Sequence, residues 1–84
     1  MGRSNKAFRG GYKDSHGITY DIQDLGTHID AHAMDQEGNF SSAKFNFEPD
    51  TGAHEVVPGT LNLHPDHVAL GVGRTMRNLV NARY

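Results

Sequence analysis

The stretch ITYDIQDLGTHIDAHAMDQEGNFSSAKFNFE, residues 18–48, decides the fold. Ile18, Tyr20 and Ile22 alternate with Thr19, Asp21 and Gln23. Ile29, Ala31 and Ala33 alternate with His28, Asp30, His32 and Met34. Ala43, Phe45 and Phe47 alternate with Ser42, Lys44, Asn46 and Glu48. A period of two sends successive side chains to opposite faces, so each run reads as a strand with one apolar face. The links Asp24-Leu25-Gly26 and Asp35-Gln36-Glu37-Gly38-Asn39 are rich in turn residues. Links this short join antiparallel neighbours, not parallel ones.

Working toward the C-terminus, Pro49-Asp50-Thr51-Gly52 is the next turn: proline presets φ and glycine permits a positive one. Val56-Val57 and Leu61-Asn62-Leu63 flank Pro58-Gly59. They read either as a fourth strand with a break or as two short pieces, with Pro58 at an edge or bulge because it cannot donate to a ladder. Pro65 suits the first turn of a helix, Asp66 its positive end, and Arg77 and Arg83 its negative end. Val68, Val72, Met76, Leu79 and Val80 fall on one stripe. Gly71 and Gly73 each cost about 1 kcal/mol inside a helix. Gly73 lies on the apolar side, where close approach to the sheet would offset its cost; nothing in the sequence compensates Gly71.

The expected fold is therefore α+β. A three- to four-stranded antiparallel β-meander carries one C-terminal α-helix on an apolar face of Ile18, Tyr20, Ile22, Ile29, Ala31, Ala33, Phe45, Phe47, Leu61 and Leu63, with the other face polar and exposed. Residues 1–16 have no clean period and contain Gly10-Gly11, so they are expected to form a flexible basic N-terminal arm ahead of a single domain over 17–84.

Charge is sorted along the chain. The first thirteen residues hold Arg3, Lys6, Arg9 and Lys13 and no acid; residues 14–66 hold all ten acids and Lys44; the last eighteen hold Arg74, Arg77 and Arg83 and no acid. Such sorting speaks to partners more than to fold. Eighty-four residues make one domain with a thin core, which disfavours a deep pocket and a self-contained enzyme for a sizeable substrate. The lack of cysteine excludes disulfides and thiolate metal sites and fits cytoplasmic residence, which is host cytoplasm for a virus-encoded chain. No apolar run is long enough to span a bilayer, and no signal-peptide core follows the basic start. The composition neither requires nor excludes a homodimer.

Three sets of residues suggest chemistry. Leu70, Arg74, Arg77 and Tyr84 fall together on the solvent side of the expected helix, and an apolar residue among arginines and a tyrosine has the composition of a protein-binding spot. The sheet edge near Pro58 is a second docking surface, by strand addition. Arg3, Lys6, Phe8, Arg9, Tyr12 and Lys13 interleave bases with aromatic rings, the composition that neutralises phosphates and stacks nucleobases. His28, Asp30 and His32 share one face of a strand, and His64 or His67 at the helix start would add a ligand; imidazole and carboxylate are ordinary Zn²⁺ ligands. No Ser–His–Asp arrangement is legible, because Ser15-His16 and Ser41-Ser42 lack a strained nucleophile turn.

Gly26-Thr27-His28-Ile29-Asp30 resembles part of the H-x-G-T-H-x-D-x-P-x-H signature of the cyclase-type kynurenine formamidases, metal-dependent amide hydrolases of much greater length. Asp24, His32 and Met34 stand where that signature has His, Pro and His, and the match covers five residues of 84. No property of the family is carried over. The leading expectation is a small non-enzymatic protein-binding module, a regulator, inhibitor or assembly accessory, with no cofactor. It would act through its acidic sheet face or its C-terminal helix. The alternatives are a nucleic-acid-binding protein and a His/Asp zinc domain.

Overall fold

A computed structural model describes residues 11–84. They form strands β1 (Tyr12–Lys13), β2 (Thr19–Asp24), β3 (Ile29–Met34), β4 (Phe40–Glu48) and β5 (Ala53–Val56), then helices α1 (Pro65–Val68) and α2 (Val72–Arg83). The strands make one antiparallel sheet in the order β1-β2-β3-β4-β5. The fold is the expected α+β meander with five strands, where three or four are expected. The additional strand is β1, too short to show alternation.

The sheet thus begins inside the segment expected to be an arm. Tyr12 pairs with Tyr20 and Lys13 with Thr19. Asp14 closes the turn that follows: its carboxylate accepts from the Ile18 and His16 amides and from the Tyr20 hydroxyl. Burial first, and then that carboxylate, push the Tyr20 hydroxyl pKa up. A Cβ on Gly11 would fall 1.5 Å from the Tyr20 carbonyl oxygen, so no side chain fits there.

The inner face is the one the alternation marks. Ile18, Tyr20, Ile22, Ile29, Ala31, Ala33, Ala43 and Phe45 are buried against Val72, Met76 and Val80 of α2, which recur every four residues. Two expected members of this face differ. Phe47 lies on it but is 56% exposed, and Leu61 is half-exposed beyond the sheet. Residues 53–62 run along β4 as one interrupted edge. After Val56, the Pro58-Gly59 turn bulges out, and Asn62 rejoins β4 by exchanging both backbone bonds with Ser42.

The single helix expected from Pro65 is two. Gly71 has φ +71°, a left-handed conformation that no continuous helix contains. It is the N-cap of α2, its carbonyl accepting from Thr75 N–H. The break resets the helical phase, and Val68, expected on the buried stripe, is 61% exposed. Gly71 thus supplies a conformation rather than space. A Cβ on Gly73 would meet Leu63 Cδ1 at 3.5 Å, an ordinary contact, so the expected close approach to the sheet is absent.

Candidate functional site

Ser41 belongs to the parity of Ala43 and Phe45, which sends a hydroxyl into the core. It meets His67 there. Ser41 Oγ lies 2.6 Å from His67 Nδ1, and His67 Nε2 lies 2.9 Å from Asp35 Oδ2. Ser41 and His67 are fully buried. Asp35, in the β3–β4 turn, also accepts from the Glu37 and Asn39 amides, and Ser41 Oγ accepts from the His64 amide. Burial alone would raise the Asp35 pKa; the hydrogen bonds from His67, Asn39 and Glu37 outweigh it and hold the carboxyl at about 2.

An ionised Asp35 can only accept, so His67 Nε2 carries the proton. With Nδ1 as the acceptor, Ser41 donates to it and each polar atom of the Ser41–His67–Asp35 relay has a partner. The arrangement has the residue types of a nucleophile–base–acid set, which sequence reasoning missed. The hydroxyl is sealed in the core and already engaged on both sides, so it cannot meet a substrate. The relay instead pins α1 to the β3–β4 hairpin. A serine at a core-facing strand position was the available signal, since a buried hydroxyl demands a partner.

Two further clamps hold α2 against β5. Arg77 Nε and Nη2 donate to Glu55 Oε1 and Oε2, both at 2.8 Å. This fork holds the Glu55 carboxyl at about 2, well below its ordinary range. In the ladder with β4, His54 is a non-hydrogen-bonded position, so its N–H and C=O point outward to the open edge. Asn81 meets both, accepting from His54 N–H at 2.7 Å and donating to its C=O at 3.0 Å. One side-chain amide thereby replaces a neighbouring strand at this point of the edge, which counts against strand addition at His54.

The inner face is not covered along its whole length. β4 spans about 30 Å, while α2 spans about 18 Å, and the helix leaves Phe47 open. A cleft of about 490 Å³ results, lined among others by Ile29, Phe45, Phe47, His54, Arg83 and Tyr84. Buried Ile29 and Phe45 are the apolar residues at its base. Phe47 and His54 meet edge-on at 5.6 Å, as do His54 and Tyr84 at 6.4 Å. Phe47 and Tyr84 are each more than half exposed. Asp24 at the end of β2 and Thr27 and His28 of the turn that follows also line it.

The four residues expected to form a binding spot on the helix are distributed from the turn before α2 to its C-terminal end. Leu70 lies in the turn before α2, Arg77 is committed to Glu55, and Tyr84 stands at the far end of α2 beside His54. Arg74 is exposed on α2. Tyr12 and Lys13 are exposed on β1, and the Tyr12 ring packs on Tyr20 at 6.0 Å. Arg3, Lys6, Phe8 and Arg9 lie outside the described residues.

His28, Asp30 and His32 do come together, but they do not converge. Each Nε2 lies 3.5 Å from a different oxygen of Asp30, and Thr27 Oγ1 sits 2.9 Å from His28 Nδ1. An extended strand separates i and i+2 side chains by about 6.5–7 Å, so the imidazoles flank the carboxylate. His64 caps α1 by accepting from Asp66 N–H, and His67 is spent in the relay, so neither joins them. Among the described residues, no three His, Asp or Glu side chains are grouped to hold a metal ion. The face they occupy is less open than expected, Asp21 being only 8% exposed.

Among the described residues, no helix is long and apolar enough to cross a membrane. No protein-family model, curated protein or solved structure matches the chain.

Proposed function

We propose that this protein is a small, non-enzymatic protein-binding module, of the kind that serves as a regulator, inhibitor or assembly accessory, and that it docks its partner in the cleft at the C-terminal end of α2. The observation that carries this reading is the uncovered end of the inner face, where Phe47, His54 and Tyr84 stand together over Ile29 and Phe45. Exposed aromatic residues around an apolar floor are the usual anchors of protein interfaces. Sequestration of the Ser41 hydroxyl, which lines up with His67 and Asp35, keeps that set away from any partner in the cleft and favours a binding role for the cleft.

A photo-crosslinking amino acid at position 84 tests the reading in the protein's own cellular background, with position 74 as the exposed control. The expected result is one dominant protein adduct from position 84, lost on Phe47→Ala and absent from position 74. Equal labelling from both positions, or adducts insensitive to Phe47→Ala, would overturn it. A nucleic-acid adduct would transfer the function to the other class of polymer.

A further inference from the structure

We propose that the cleft recognises a protein segment in which an aromatic or aliphatic side chain is followed by a carboxylate, the apolar group packing on Phe47 and Tyr84 and the carboxylate meeting Arg83. The inference rests on the protein-binding reading above and specifies the partner's chemistry. Its basis is how the arginines of α2 are used. Arg77 is neutralised by a two-bond fork from Glu55. Arg74 does not line the cleft. Arg83 does line it, is exposed, and makes no ion pair among the described residues.

The other groups at the rim sharpen the assignment. His54 offers ring nitrogens, those of His28 face Thr27 and Asp30, and Asp24 is the acidic side chain at the rim. Asp24 Oδ1 already accepts from the Gly26 amide, so part of its capacity is spent on its own turn. Asp24 repels an anion at its part of the rim, and at the carbonyl end of α2 the Arg83 guanidinium is the cation that can receive a carboxylate. Guanidinium pairs with carboxylate through two parallel bonds, so recognition at Arg83 would select for direction as well as charge. The volume of about 490 Å³ exceeds what any one side chain fills, and a short segment suits it better than a single residue.

The test is amide chemical-shift mapping of the full chain with three capped tetrapeptides. One carries phenylalanine followed by aspartate, one phenylalanine followed by lysine, and one alanine followed by aspartate. The first should shift Phe47, His54, Arg83 and Tyr84 and bind about two- to fivefold tighter than the second, the worth of an exposed charge pair. The third should bind weakest. Arg83→Gln should erase the preference for aspartate while leaving binding of the phenylalanine peptides in place. Equal binding of the first two peptides would overturn the carboxylate assignment and leave the cleft as a binding site. No shift at these residues with any peptide would overturn both.

Discussion

Replacing Ser41 by Ala removes one atom from the core and tests the relay directly. No cavity of consequence forms, because only the oxygen is lost. What remains is a fully buried His67 Nδ1 without its donor and a part-buried His64 N–H without its acceptor. Each stranded group costs about 1–3 kcal/mol, so the substitution should destabilise the fold by about 2–4 kcal/mol. The whole domain, at 84 residues, is expected to have only about 4–12 kcal/mol of stability. The loss is therefore a large fraction of the total. Urea unfolding followed by far-ultraviolet circular dichroism measures it, with an unchanged slope as the sign that the denatured state is unaffected. In a His67→Leu background the imidazole is gone and Ser41→Ala strands only the His64 N–H, so the same change should cost about 1–3 kcal/mol less than in the natural background. A cost below about 0.5 kcal/mol in the natural background, or an equal cost in both, would refute the reasoning.

The two glycines of the α1–α2 region should respond oppositely to alanine. Gly71→Ala should destabilise by about 1–2 kcal/mol, the penalty for a left-handed residue with a Cβ, whereas Gly73→Ala should stabilise by about 0.5–1 kcal/mol because its space and φ are both permissive. Thermal melts of the two variants decide the point. Asn81→Ala should uncover the outward N–H and C=O of His54 and promote self-association through that edge, seen as concentration-dependent light scattering; an unchanged scattering profile would contradict the capping role of the amide. Stability should fall in acid in a defined window. Asp35 and Glu55 have folded pKa values below their unfolded ones, so their contribution is complete above the ordinary carboxylate range and is lost as the pH drops from about 4.5 toward 2. Glu55→Gln should remove part of that acid dependence, and a melting temperature independent of pH over this window would count against both hydrogen-bonded carboxylates.

Much of the sheet was legible because its signal is local. β2, β3 and β4 announce themselves through alternation, and the buried stripe of α2 through its recurrence at Val72, Met76 and Val80. β1 was illegible because two residues cannot display a period. The helix break was illegible because Gly71 interrupts the apolar stripe without changing its apparent phase, and only the backbone angle separates a tolerated helical glycine from a cap. Phe47 was assigned to the right face, but whether a helix reaches that far depends on lengths and crossing, which alternation does not encode. The candidate site was read least well. Tyr84 was named for its place on a helix face, and its actual neighbours, Phe47 and His54, come from the hairpin of β4 and β5. Such neighbours are set by tertiary register.

The polar clamps also divide the molecule by sequence separation. Each strand of the meander pairs with the next one along the chain. The relay bridges 26 and 32 positions, and the Glu55–Arg77 and His54–Asn81 contacts bridge 22 and 27. The hairpins can zip in order before any of these long loops closes, so the clamps belong to the late side of the folding barrier. Their strength then governs how long the native state persists once formed, and has little influence on how quickly it is reached.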